Sequence, residues 1–440
     1  MTWSHSAFLF TALAVLTGYA SENDGRQTNM IQAGIGVTSH SFPLVGPHSL
    51  AWSHAVCGEW PDWYAKLHRE IRSGVARRRY LVLMPSAGIG NRLYGRAAAL
   101  AVALLTERAL LIDDQTLQPF LASPNVDVTL NNDEVSRAAM EGGSREISIY
   151  SKNCEEMLWE LGQKGLDAVW PEAVIYLRTN SLMWPSLKTS LMHGEQWVRL
   201  GLEPGDEFFG CAMHFLIRPG EQLSLAMETV ETQLQGYYNI GLQVRVHPKS
   251  GSAPLDDVTD FIECGLHIAN HHAPDMPVQF VMVTDWLEGG ERVADALESL
   301  GHKLFWFQPP PAVIIGEPID LIAILDHQTL SLCNESVVAY ASTFGLTASQ
   351  FHPGRRAHHL VSRHYQEPER GRTCERHFCT SDDACFVRHY GFFNSNRHPY
   401  PWTKWGGGYA QINLDYNISK ELRFVDTLDP VVQDSLRYVE

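Results

Sequence analysis

Three short stretches of this chain carry residue types that could do chemistry on an anion. The first is Ser86 to Asp114, SAGIGNRLYGRAAALAVALLTERALLIDD, with Gly88, Gly90 and the pair Asn91-Arg92 ahead of a long apolar run. The second is Gly241 to Pro248, GLQVRVHP, in which Arg245 interrupts apolar residues. A charge in an apolar strand is costly unless something anionic meets it. A guanidinium can grip phosphate as a two-pronged fork; the plainer alternative is an ion pair with a carboxylate such as Asp285. His247 lies two residues on. The third is Tyr340 to Ala348, YASTFGLTA. Ser342 and Thr343 there either cap the following helix or join its N–H groups in an anion site.

The elements around them explain why these stretches should meet. RRYLVLMP reads as a buried strand, Asn91–Glu107 as a helix with one buried face, and RALLIDD as the next strand. Strand, tight turn, helix and strand make a βαβ unit with parallel strands. A second alternating block begins near Tyr237 and runs through YNIGLQVRVHP, TDFIECGLHIANHH, VQFVMVTD, GERVADALESLG, KLFWFQP, PIDLIAILDHQTLSLC, ESVVAYAS and TFGLTASQF. Two such blocks predict two α/β domains. Open parallel sheets bind ligands beyond their strand C-termini, and all three stretches fall there.

The glycine loop is neither a dinucleotide fingerprint nor a P-loop. Gly88, Gly90 and Gly95 do not space as G-x-G-x-x-G, and no Gly-Lys-Ser/Thr follows. Its glycines could serve only close helix–strand packing, while Asn91 and Arg92 point into the cleft.

Composition narrows the partners. The chain has 440 residues with 34 Lys and Arg against 50 Asp and Glu, a net charge of -16. That balance argues against nucleic acid, whose backbone needs a basic face. Ala7 to Ala20 is almost wholly apolar but too short for a membrane span of ~20 residues. It fits a signal peptide or short signal anchor over residues 1–20, with a stem at 21–55. Eight cysteines in an oxidising lumen permit disulfides without assigning them. No Cys-x-x-Cys occurs, and CERHFC lacks the spacing of a zinc module. Asn334-Glu335-Ser336 and Asn417-Ile418-Ser419 are glycosylation sequons.

The loop SAGIGNR, the strand GLQVRVHP, the helix LSLCNES, the turn STFG and the earlier YAKLH, in this order, resemble the plant xyloglucan α-1,2-fucosyltransferase family (glycosyltransferase family 37). That family's pattern is a Gly-Leu-Gly-Asn-Arg loop, an Ile-Gln-Val-Arg-Val strand and a Leu-Ser-Leu-Cys helix before Ser-Thr-Phe-Gly. The resemblance covers about Trp60 to Cys385, and Ala341 stands where the family has Trp. It implies a GT-B-like α/β fold, two Rossmann-like domains facing one cleft. It further implies a Golgi enzyme that takes GDP-fucose as donor, inverts the anomeric centre, and uses no metal or other cofactor.

Carried over by motif, Arg245 becomes the pyrophosphate ligand. Ser342, Thr343, Phe344 and Gly345 form the turn around the nucleotide, and Asn91 and Arg92 lie near the transferred sugar. His247, Gly88 and Gly90 complete the donor-binding set. The expected organisation is an acceptor-side domain at 56–235, a GDP-sugar domain at 236–372 and a cysteine-containing segment at 373–440. The expected acceptor is a glycan hydroxyl, with galactose O2 of a cell-wall or glycoprotein glycan first. Protein O-fucosylation, transfer of another GDP-sugar, and a carbohydrate-binding protein that has lost catalysis are the alternatives. Membrane anchorage would run through the N-terminal segment.

Overall fold

The computed structural model describes residues 57–149, 160–161, 164–180, 183–188, 190, 192–202, 208–245, 258–307, 319–339, 342–352, 358–363 and 372–377. The apolar segment Ala7 to Ala20, the stem, His247, Cys154, Cys379, Cys385 and Asn417 lie outside them.

The chain enters through helix α1 (Trp60–Ser73), which stops at Gly74 in the left-handed region, φ 78. Tyr64 and His68 bind α1 to the next sheet. The Tyr64 hydroxyl donates to Arg108 O at 3.0 Å and accepts from Leu110 N at 3.0 Å. Strand β1 (Tyr80–Leu83) leads into helix α2 (Ile89–Thr106) and strand β2 (Ala109–Ile112), and β1 and β2 pair in parallel. This is the βαβ unit expected from the sequence. Strands β4 (Ser144–Ile149) and β5 (Val174–Thr179) complete a parallel sheet of order β2-β1-β5-β4. A two-residue strand β3 (Leu121–Ala122) pairs separately with β6 (Arg218–Pro219).

Helix α2 departs from expectation in two ways. It starts at Ile89 rather than Asn91, so Gly90 is already helical. It is also buried on every side from Leu93 to Thr106. The alanine-rich run Ala97 to Ala103 explains this, because small side chains let neighbours approach all round the helix. One such neighbour is helix α3 (Phe208–Leu216). The Cys57–Cys211 disulfide pins the start of the described chain to α3. Cys264 is disulfide-bonded as well.

The second sheet has the order β12-β11-β10-β7-β8-β9. Its centre is β7 (Tyr238–Val244), β8 (Val278–Thr284) and β10 (Glu335–Ala339), flanked by β9 (Lys303–Trp306) and β11 (His358–Arg363). These strands run parallel; only β12 (Arg372–His377) is antiparallel, and it carries the sheet past residue 372. The crossovers are α4 (Thr259–His272), α5 (Leu287–Ser299), α6 (Ile319–Ser331) and the short α7 (Thr343–Ser349). They fall on the sequence segments that the apolar periodicity marks. The architecture is α/β with two parallel, Rossmann-like sheets. One apolar cluster runs from α2 and β1 through to Val281, Ile324, Leu325 and Phe351, so the two units share buried surface.

Candidate active site

The loop after β1 and the turn after β10 meet. A Cβ added to Gly90 would lie 2.4 Å from Thr343 C and 2.5 Å from Phe344 N and Thr343 O. Residues about 250 apart in sequence are in backbone contact because position 90 has no side chain. Gly95, one turn and more along, would press its Cβ to 2.5 Å from Thr179 O. Gly88 has nothing within 4 Å. Packing therefore explains Gly90 and Gly95, while Gly88 faces open space. Ala87 beside it holds a left-handed φ of 68. A non-glycine residue there is strained, and such strain persists where the surroundings impose it.

The Asn-Arg pair divides its duties. Asn91 is half-buried in the first turn of α2, and its side chain makes no hydrogen bond among the described residues. Arg92 is committed to the protein. Its Nε donates to Ala87 O at 2.8 Å, and its Nη1 donates to Thr116 and stands 3.6 Å from both Asp114 and Asp320. Asp320 opens α6 of the second unit, so Arg92 ties the two units together. Arg96 sits behind it, its Nη2 donating to Asp114 at 2.9 Å. Burial alone would raise the Asp114 pKa, but the charge and hydrogen bond of Arg96 outweigh it and hold this carboxyl below its ordinary value.

On the other side, Gln243 of β7 organises the turn. Its Nε2 donates to Ser342 Oγ at 2.8 Å and its Oε1 accepts from Ala339 N at 3.2 Å. Ser342 is buried and makes no side-chain cap to α7. The cap expectation gives way: the hydroxyl accepts from Gln243 and anchors the turn to β7, while its own proton remains available to a ligand. Gly345 is needed for the same packing, since a Cβ there would stand 2.3 Å from Val338 Cγ1 and 2.6 Å from Gln243 Oε1. Thr343 and Phe344 remain half-buried at the rim.

His327 braces the turn from α6. Its Nε2 lies 3.0 Å from Thr347 Oγ1, and that hydroxyl donates to Thr343 O at 2.7 Å. The hydroxyl must therefore accept from the ring, which makes Nε2 the protonated nitrogen. Burial pushes the His327 pKa down to about 3, in keeping with a neutral ring.

Arg245 corrects an expectation. β7 ends at Val244, so Arg245 stands just beyond the apolar strand and its side chain is 36% exposed. Its Nε lies 3.4 Å from Asp285 Oδ2. The carboxylate partner considered in the sequence is thus in place, but without hydrogen-bond geometry: Nε is sealed from solvent with no hydrogen-bond partner among the described residues. The guanidinium is open enough to meet a ligand as well. Of the sequence candidates, Gly90, Thr343 and Phe344 touch, Ser342 is tied to β7 through Gln243, and Arg245 follows Gln243 by two residues.

Gln243, Asp320 and Asp326 were not singled out in the sequence. A polar residue inside GLQV and one acid inside LIAILDHQTL were the available signals. Asp326 has no hydrogen bond or ion pair among the described residues, and desolvation pushes its pKa up to about 8.

No family model and no curated protein matches the chain. Among solved structures, an Arabidopsis thaliana FUT1 mutant in complex with GDP is similar at 18% identity and a TM-score of 0.52, over 75% of this chain and 82% of that one. The fucosyltransferase NodZ from Bradyrhizobium aligns at 18% identity and a TM-score of 0.45, over 66% of this chain and 96% of that one. POFUT1 in complex with GDP aligns at 10% identity and a TM-score of 0.39, over 63% of this chain and 96% of that one. The chain shares the overall α/β fold of FUT1, as the resemblance in its motifs implies.

Proposed function

We propose that this protein is an inverting fucosyltransferase that takes GDP-fucose as donor and a glycan hydroxyl, with galactose O2 first, as acceptor. The observation that carries the reading is the contact of Gly90 with Thr343 and Phe344. It brings the glycine loop and the STFG turn to one place, in a fold shared with a GDP-bound FUT1. Arg245, at the end of the strand that holds this turn, supplies the charge for a diphosphate.

In the proposed reaction the acceptor oxygen attacks fucose C1 as the bond from C1 to the phosphate oxygen breaks. The acceptor proton passes to a base or to water, and GDP leaves with the electron pair. Arg245 stabilises the growing charge on the diphosphate, which should supply much of the rate. Asn91, whose side-chain amide makes no hydrogen bond among the described residues, is suited to the sugar. Arg92, held by Asp114 and Asp320, acts by keeping the loop against the second unit. Gly88 leaves room for a ligand beside the first turn of α2. The assignment of His247 rests on the motif alone.

The proposed compartment is the Golgi lumen, reached through Ala7 to Ala20 as a cleaved signal or short anchor. Asn334 is a poor sugar acceptor once folded, because its Oδ1 accepts from Asn239 N at 2.8 Å and Ser336 of the sequon is buried in β10. Asn417 is the better site.

The test is incubation with labelled GDP-fucose and a panel of galactose-terminated glycans, folded protein acceptors and water. Transfer to a glycan with inversion is expected. Transfer only to a protein hydroxyl would favour protein O-fucosylation. Glycan binding with neither transfer nor donor hydrolysis would favour a carbohydrate-binding protein that has lost catalysis.

A further inference from the structure

We infer that Asp285 is a positioning residue for Arg245, holding the guanidinium by its stem side so that its two-nitrogen edge meets the donor diphosphate. This rests on the donor-site reading above. β7 and β8 pair in register, with Val244 opposite Thr284. The next residues of the two strands, Arg245 and Asp285, therefore stand side by side beyond the C-terminal edge of the sheet. The contact is made at Nε, 3.4 Å from Oδ2. Nη1 and Nη2 are left as a fork, the geometry that phosphate oxygens match.

Asp285 is itself held. The Thr284 hydroxyl accepts from Trp286 N at 3.0 Å and donates to Trp286 O at 3.2 Å, closing a tight turn of the backbone across Asp285. The pair is not a fold-holding ion pair. Its side chains are 36% and 47% exposed, and pairs of that kind contribute little to stability. Two effects of Asp285 on an anionic ligand oppose each other: its charge repels, and its grip on Nε orients. The carboxylate makes its contact at Nε and not at the fork nitrogens, which weakens repulsion relative to orientation. Nε, buried beside Asp285 without a hydrogen bond, gains one if the pair tightens when the fork is occupied.

The experiment is calorimetric titration of GDP into the full chain, wild type and variants, with thermal melting and steady-state transfer. Asp285→Ala should weaken GDP binding several-fold to about tenfold, leave the melting temperature unchanged, and raise KM for donor more than it lowers kcat. Asp285→Asn should bind GDP close to wild type, because an amide oxygen can accept from Nε as the pair tightens. In an Arg245→Lys background, Asp285→Ala should add nothing, because the ammonium has no Nε to hold. GDP binding by Asp285→Ala as tight as wild type or tighter, or additive losses in the double variant, would overturn the inference. So would a loss confined to kcat with GDP affinity intact, which would make Asp285 a base, or a melting temperature well below wild type. If Arg245→Ala loses GDP while the Asp285 variants do not, only this inference falls. If the wild type itself does not bind GDP, the donor-site reading falls and takes it along.

Discussion

Substituting Gly90 with alanine tests the contact on which the site depends. The added Cβ would stand 2.4 to 2.5 Å from three backbone atoms of Thr343 and Phe344. Non-bonded carbons sit at about 3.5 Å or more, so the overlap is about 1 Å. Backbone cannot rotate away as a side-chain tip can, so α2 and α7 must part. Overpacking of this kind costs roughly 1–3 kcal/mol. Alanine regains up to about 1 kcal/mol of helix propensity, less at the second residue of a helix. The net loss should be about 1–2 kcal/mol, a fall in melting temperature of a few degrees, roughly 2–6 °C. GDP affinity should drop too, because the glycine loop and the STFG turn no longer meet at native distance. Gly88→Ala is the control: its φ is -71 and its Cβ would meet nothing within 4 Å, so stability should hold. Melting curves with and without GDP read both effects. A Gly90→Ala protein that melts at or above wild type and binds GDP normally would refute the reasoning.

Four further outcomes are expected. Asp326, pushed up to about 8 from 3.8, keeps its proton more tightly folded than unfolded; its contribution to stability is full below about pH 3.8 and is lost as pH rises through about 8. Denaturant unfolding across pH 5–9 should therefore show wild type losing stability relative to Asp326→Asn, and parallel profiles would contradict it. His327 has the opposite sign: its contribution is full above pH 6.5 and is lost as pH falls toward about 3, so His327→Gln should flatten the acid limb. Cys57 and Cys211 close a separation of 154 residues, and replacing both with serine should cost about 2–5 kcal/mol, read as an earlier unfolding midpoint. Transfer should survive chelation of divalent ions; activity abolished by chelator and restored by manganese would count against metal-free transfer.

The sequence by itself determined the elements and their order. Apolar periodicity and strand-like runs are local, and β1, α2, β2 and the alternation from β7 to α7 follow from them. It also singled out the glycine loop and the STFG turn, which meet in the fold, because anion-binding residue types in an apolar chain are conspicuous. Arg245 with Asp285 as its neighbour, and the STFG turn, were legible in this way. What the tertiary structure alone decided was which groups are already spent. Arg92 reads as a cleft residue until Ala87 and Thr116 accept from it and Asp114 and Asp320, the latter from the other unit, flank its Nη1. Ser342 reads as a helix cap until Gln243, on a paired strand, donates to its hydroxyl and ties the turn to β7. Gly90 reads as a glycine for helix–strand packing until Thr343 arrives from about 250 residues away. The all-round burial of α2 and the Cys57–Cys211 pairing were likewise hidden. The reason is common to all of these. A side chain's chemistry is set by its own atoms, but its availability is set by partners brought together through long-range packing, and a one-dimensional pattern carries no distances between distant residues.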